Sequence, residues 1–138
     1  MNDILRSVPN TDTCTSALII KDGKILLGFR NYSTNVWTGG PTWTSPGGRC
    51  AGNETLETGL TREILEETGI TDVLIKEHLG TVDGAKEGDK VEVFLCTSDQ
   101  EPQLTEPDKF SEWKWFDTKQ LPEKFINENI RSLIQERL

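Results

Sequence analysis

The 138-residue sequence predicts an α/β domain in which a mixed β-sheet lies between helical layers. Three observations predict it. Short β-rich runs recur along the chain, a helix-periodic segment at 55–68 lies among them, and an amphipathic segment at 125–137 follows the last run. Thr13–Lys21, rich in Thr and Ile, reads as the first strand. Asp22-Gly23 is a two-residue hairpin signal, and 24–28 is the returning strand. Residues 31–42 form a loop of Asn, Thr and Gly carrying Tyr32 and Trp37, and Trp43 leads out of it. After the internal helix come a strand at 73–82, a turn at 84–89 and a strand at Lys90–Thr97, with Val91, Val93 and Leu95 alternating on one face. Residues 98–110 are a polar loop with two prolines, and 112–116 a short aromatic strand. In the final helix Ile126, Ile130, Leu133 and Ile134 recur at helical spacing.

This length suits one domain, spanning residues 1–138, and not two ordinary ones. A formal net charge of -8 disfavours non-specific binding to nucleic acid polymers or anionic membranes. No apolar run is long enough to span a membrane, and residues 1–9 lack a signal-peptide pattern, so the expected location is cytoplasmic. Cys14, Cys50 and Cys96 are odd in number and widely spread, which suits neither a disulfide framework nor a zinc site. His78 is the only histidine, so histidine-rich metal sites are excluded. Ile4, Leu5 and Val8 are free to pack on the domain or on a partner, and monomer and homodimer both stay open.

The chemistry concentrates at 48–70, GRCAGNETLETGLTREILEETGI. Its helix opens after the capping side chains of Asn53-Glu54-Thr55 and closes at Gly69. At about 100° per residue, Glu63, Glu66 and Glu67 share an arc of roughly 100°. Leu56, Leu60 and Ile64 lie on an adjoining face that packs on a sheet. Gly59 projects into the acidic arc and is expected to leave room for substrate or ion. Like charges at these spacings repel, and Arg62 alone cannot neutralise three glutamates. A hard divalent cation can; Mg²⁺ takes oxygen ligands, keeps several waters and bridges to phosphates.

Gly48, Glu54, Arg62, Glu63, Ile64, Glu66, Glu67, Gly69 and Ile70 fill every fixed position of the Nudix box, and Ser45-Pro46-Gly47-Gly48 resembles the Pro-Gly-Gly turn that precedes it. Asn53 and Ser45 are mild departures, standing where the family usually has Gly and an aliphatic residue. The chain thus resembles the Nudix hydrolases. The resemblance implies their α/β/α sandwich and Mg²⁺-dependent hydrolysis of a nucleotide phosphoanhydride, with Mn²⁺ as a substitute. It implies Glu63 and Glu67 as main metal ligands, Glu66 sharing metal or proton transfer, and the Gly47 carbonyl as a further ligand. Arg62 would orient a box carboxylate through a forked hydrogen bond, and Glu54 would hold Arg62 or a metal-bound water.

Glu106-Pro107-Asp108-Lys109, followed by Glu112-Trp113-Lys114-Trp115-Phe116 and Leu121-Pro122, resembles the tail of MutT-like pyrophosphatases. There an acidic residue completes the metal site or helps orient water, and Glu106 is preferred over Glu112. Tyr32, Trp37 or Trp43 is a candidate to stack on a base, and Asn127 or Asn129 to read a base edge. The favoured substrate is a nucleoside triphosphate, oxidised or not, cleaved to monophosphate and pyrophosphate. Alternatives are a dinucleoside polyphosphate, ADP-ribose or a nucleotide sugar, and, in another class, a non-catalytic nucleotide sensor.

Overall fold

A computed structural model describes residues 2–30 and 41–138. The element order is α1 (Asn2–Leu5), β1 (Thr13–Lys21), β2 (Lys24–Arg30), β3 (Thr42–Thr44), α2 (Leu56–Thr68), β4 (Leu74–Asp83), β5 (Lys90–Thr97), β6 (Phe110–Asp117) and α3 (Glu128–Arg137). The sheet runs β3-β2-β1-β5-β4, with β6 also paired to β2. It is mixed: β1 and β5 are parallel, and the other pairs are antiparallel. None of the described helices is long and apolar enough to cross a membrane.

Strand alternation sends successive side chains into two cores. Ala17, Ile19, Leu26, Phe94 and Cys96 pack with Leu60 and Ile64 of α2, and Leu5 of α1 joins them. Leu18, Ile25, Leu27, Val91 and Val93 pack with Ile130 and Ile134 of α3. Leu60 and Ile64 are fully buried, each contributing about 1.5–3 kcal/mol to holding α2 on the sheet. The result is the α/β/α sandwich. Leu5 packs on its own domain, whereas Val8 is exposed.

Several elements differ from the sequence expectation. β2 and β6 extend further than expected because they pair along Lys24 to Arg30, and β3 adds a three-residue strand beyond β2. The last helix begins at Glu128, not at 125. The Asn127 carboxamide oxygen accepts from the Asn129 and Ile130 N–H groups and caps the helix there. Phe125 and Ile126 are instead drawn alongside Trp43, whose carbonyl accepts the Ile126 N–H.

Candidate active site

β1 and β2 pair only beside their hairpin, at Ile20 with Ile25 and Lys21 with Lys24. Further along, the turn at 46–50 pairs with β1. The Thr15 and Ala17 N–H groups donate to the Gly48 and Pro46 carbonyls at 2.8 Å, and Cys50 N–H donates to Thr13. Glycine is needed here for a steric reason. Gly47 has φ +145°, and a Cβ on it would lie 2.1 Å from the Thr15 carbonyl oxygen. A Cβ on Gly48 would lie 2.7 Å from the Glu63 carboxylate. The two glycines thus let the acidic edge of α2 close against β1, where Gly47 N–H donates to Glu67 Oε1 at 2.9 Å.

The helix carrying those carboxylates starts and stops as its sequence dictates. Thr55 accepts from Thr58 N–H as the N-cap, and Gly69 adopts the left-handed conformation at φ +74°. Arg62 organises the acidic face. Its Nε and Nη2 fork onto Glu54 Oε2 and Oε1 at 3.0 and 2.7 Å. Its Nη1 donates to Glu63 Oε1 at 3.0 Å and to Glu66 at 3.2 Å. The Ala51 N–H donates to Glu54 Oε1 at 2.7 Å, so Glu54 is fixed from both sides. The Arg62 fork, then Ala51, holds the Glu54 pKa below the usual carboxylate range. The space at Gly59 is used differently from expectation. A Cβ there would sit 3.0 Å from Glu54 Oε1, so this glycine makes room for Glu54, not for substrate or ion.

Glu63 and Glu67 face a cleft of about 380 Å³. Glu67 is buried, and burial pushes its pKa well above the usual range; Glu63 and Glu106 add to this, while Gly47 N–H and Arg30 oppose it. Burial likewise raises Glu63, with Arg62 opposing and Glu66 and Glu106 reinforcing. The buried Glu67 carboxylate, the partly buried Glu63 and a third charge near them are a hard-oxygen donor set. Among the described residues, no three His, Cys, Asp or Glu side chains gather closely enough to hold an ion by themselves. Waters, backbone and substrate phosphate would complete the shell, as Mg²⁺ prefers. The residues present therefore fit a divalent cation.

Other expected residues fall in different places. Gly47 lines the cleft with Glu63 and Glu67. Glu66 is half-exposed and tied to Arg62. Glu106 lies close enough for its charge to act on Glu63 and Glu67, whereas Glu112 is exposed on β6. Asn127 lines the cleft, but its oxygen caps α3 and its Nδ2 donates to the Asp83 carbonyl at 2.9 Å. Asn129 also donates to Asp83. Trp43 packs between Phe29 and Phe116, at ring distances of 5.0 and 4.7 Å. Tyr32 and Trp37 lie outside the described residues. His78 bonds Glu92 across β4 and β5 and does not line the cleft.

Sequence reasoning missed Arg30, Arg49, Lys86 and Lys109, which line the same cleft. Burial lowers the Arg30 pKa, and the charges of Glu67 and Glu63 act in the opposite direction. No spacing rule links these cations, which come from four separate segments. The only signal was that 15 Lys and Arg are hidden within a net charge of -8.

A family model described as NUDIX domain matches residues 12–136. The chain belongs to the Nudix family. This Nudix chain is 30% identical over 110 residues to an oxidized purine nucleoside triphosphate hydrolase of Danio rerio, an alignment covering 78% of the chain and 67% of that relative. An RNA pyrophosphohydrolase of Novosphingobium aromaticivorans is 25% identical, with 91% and 89% covered. Among solved structures, a MutT NUDIX hydrolase from Burkholderia pseudomallei matches with a TM-score of 0.73 at 28% identity, with 91% and 97% covered. With its box intact, the protein is a Nudix-type pyrophosphohydrolase acting on phosphoanhydride bonds of nucleotide substrates. Nudix hydrolases generally use divalent cations.

Proposed function

We propose that this Nudix hydrolase cleaves a nucleoside triphosphate, oxidised or not, to the monophosphate and pyrophosphate in the presence of Mg²⁺, which Mn²⁺ can replace. The observation that carries the reading is one cleft lined both by the buried Glu67 with the partly buried Glu63 and by Arg30, Lys86 and Lys109. Carboxylates that demand a cation and cations that attract phosphate are together what a metal-bridged polyphosphate requires. The similarity to the Danio rerio purine hydrolase and the MutT structure supports a triphosphate over the alternatives.

Glu63, Glu67 and the Gly47 carbonyl would hold the metal, with Glu66 and Glu106 as further candidates. When bound, it supplies charge neutralisation and a more acidic water. Glu54 holds Arg62 by the fork, and Arg62 holds the Glu63 and Glu66 carboxylates, so their orientation is set before substrate arrives. A carboxylate among Glu63, Glu66 and Glu106 takes the proton from water. The water oxygen then bonds to phosphorus as the bridging P–O bond between the monophosphate and pyrophosphate portions breaks, the attacked phosphorus being either of the two that it joins. Arg30 and Lys109 bind phosphate oxygens. Asn127, already fixed by its cap, presents its remaining Nδ2 hydrogen to the base, and Tyr32 and Trp37 supply stacking faces.

The test is a product assay with Mg²⁺ over nucleoside triphosphates, oxidised nucleotides, dinucleoside polyphosphates, ADP-ribose, nucleotide sugars and a 5′-triphosphorylated RNA. Monophosphate with pyrophosphate from a free triphosphate is the expected result. Activity confined to ADP-ribose, a dinucleotide, a nucleotide sugar or RNA would overturn the substrate.

A further inference from the structure

The turn before the box contains a departure, Ser45, where relatives usually carry an aliphatic residue. Ser45 is buried, and its Oγ lies 2.5 Å from the Oγ of Ser16 on β1, which is also buried. By strand alternation Ser16 shares a face with Cys14 and Leu18, the face on which α3 packs. Both serines line the cleft that holds Glu63 and Glu67, and Asn127 lines it too. The hydroxyl pair thus belongs to the floor shared by the carboxylate side and the α3 side.

The hydrogen-bond count makes the pair more than a packing contact. Two hydroxyls carry two protons and four acceptor positions. One proton joins the two oxygens. The second has no acceptor among the described residues, and neither oxygen accepts from any other group there. Each oxygen has the other as its partner, so neither is unsatisfied; what the pair keeps is one proton and spare acceptor positions at the cleft. Aliphatic side chains would fill this floor without leaving hydrogen-bonding capacity at the cleft.

We propose that the Ser16–Ser45 pair is a specificity site for the nucleoside part of the substrate. It donates one hydrogen bond to an oxygen or ring nitrogen there and can accept one from a hydroxyl or amine. The chemistry has two sources, a sugar hydroxyl or a base edge. The proposal rests on the cleft being the nucleotide site, not on the substrate being a triphosphate.

The experiment is calorimetric titration of nucleoside 5′-monophosphates into the wild type and into the double variant S16A/S45A. Removing both partners of a buried bond is close to neutral for folding, whereas either single alanine strands the other hydroxyl. A thermal melt confirms that the double variant is folded. One arm of the panel compares ribose, 2′-deoxy and 3′-deoxy sugars; the other compares bases with and without exocyclic oxygen or amine, including 8-oxo forms. The expected result is about tenfold weaker wild-type binding when one particular atom is removed from the ligand, and no such difference in the double variant. The arm in which this occurs names the source. Equal discrimination by both proteins, or no monophosphate binding by the wild type, would overturn the proposal and leave water as the partner of the free proton. Failure of triphosphate turnover in the product assay is a separate outcome and leaves this titration interpretable.

Discussion

Glu67 shows how one residue acquires two properties from its surroundings. It is buried beside Glu63, yet among the described residues its carboxylate accepts a hydrogen bond only from Gly47 N–H. Removing its charge relieves desolvation and, on the proposed mechanism, removes a metal ligand together. Glu67→Gln should therefore melt no lower than wild type in chelator, while turnover falls by at least about 100-fold. A variant within threefold of wild type would remove Glu67 from the mechanism. The pH dependence has a definite sign. A carboxyl whose folded pKa is raised binds its proton more tightly in the native state than in the unfolded chain. In chelator, stability should fall as pH rises from about 4.5 through the raised pKa of Glu67, and Glu67→Gln should flatten that slope in melts across pH. Arg62 acts through geometry. Lysine keeps the charge but cannot fork onto Glu54 while also reaching Glu63, so Arg62→Lys should lose roughly 10–100-fold in kcat/KM. At this scale the box residues were legible because their spacing repeats a helix turn. The sequence offered Glu54 as a holder of Arg62 or of a metal-bound water, and the turn at 51–54 folds back so that Glu54 takes the Arg62 fork.

The element that makes the site is the pairing of the 46–50 turn with β1. Two adjacent glycines serve it in different ways, and alanine substitutions should separate them. Gly47→Ala places a methyl inside the Thr15 carbonyl in a backbone conformation that side chains rarely adopt. It should destabilise by more than about 3 kcal/mol in denaturant melts. Gly48→Ala meets the end of a movable glutamate, so the fold should largely survive while Glu63 is displaced. Its signature should be a roughly tenfold or greater rise in the Mg²⁺ concentration needed for half-maximal activity, against a modest change in melting temperature. β1, β2, β4, β5, β6 and both long helices were legible from periodicity and turn signals, whereas β3 was not. The start of α3 was not, because Ile126 continues the helical spacing of Ile130 and Ile134 while Asn127 caps one residue later. Capping chemistry outweighs periodicity at a helix end, and Trp43 holds the preceding residues extended.

For the whole molecule, the sandwich brings α2 and α3 to opposite faces of one sheet and opens the cleft at its edge. Glu63 and Glu67 come from one helix, while the cleft's cations come from β2, the box turn, the 84–89 turn and the segment before β6. A cation bound there stabilises only the folded chain. Mg²⁺ at 100 times its dissociation constant should thus raise stability by about 2.7 kcal/mol, read as a higher melting temperature that EDTA reverses. Glu67→Gln should lose most of that increment. By itself the sequence determined the fold class, the family resemblance and the acidic helix face, because each is written in local spacing, capping and turn residues. Only the tertiary structure decided that Gly59 houses Glu54, that Arg30 and Lys109 line the carboxylate cleft, and that Ser16 meets Ser45. Those relations join segments up to about 80 residues apart, between Arg30 and Lys109, and no local periodicity carries information about which distant side chains a twisted sheet will bring together.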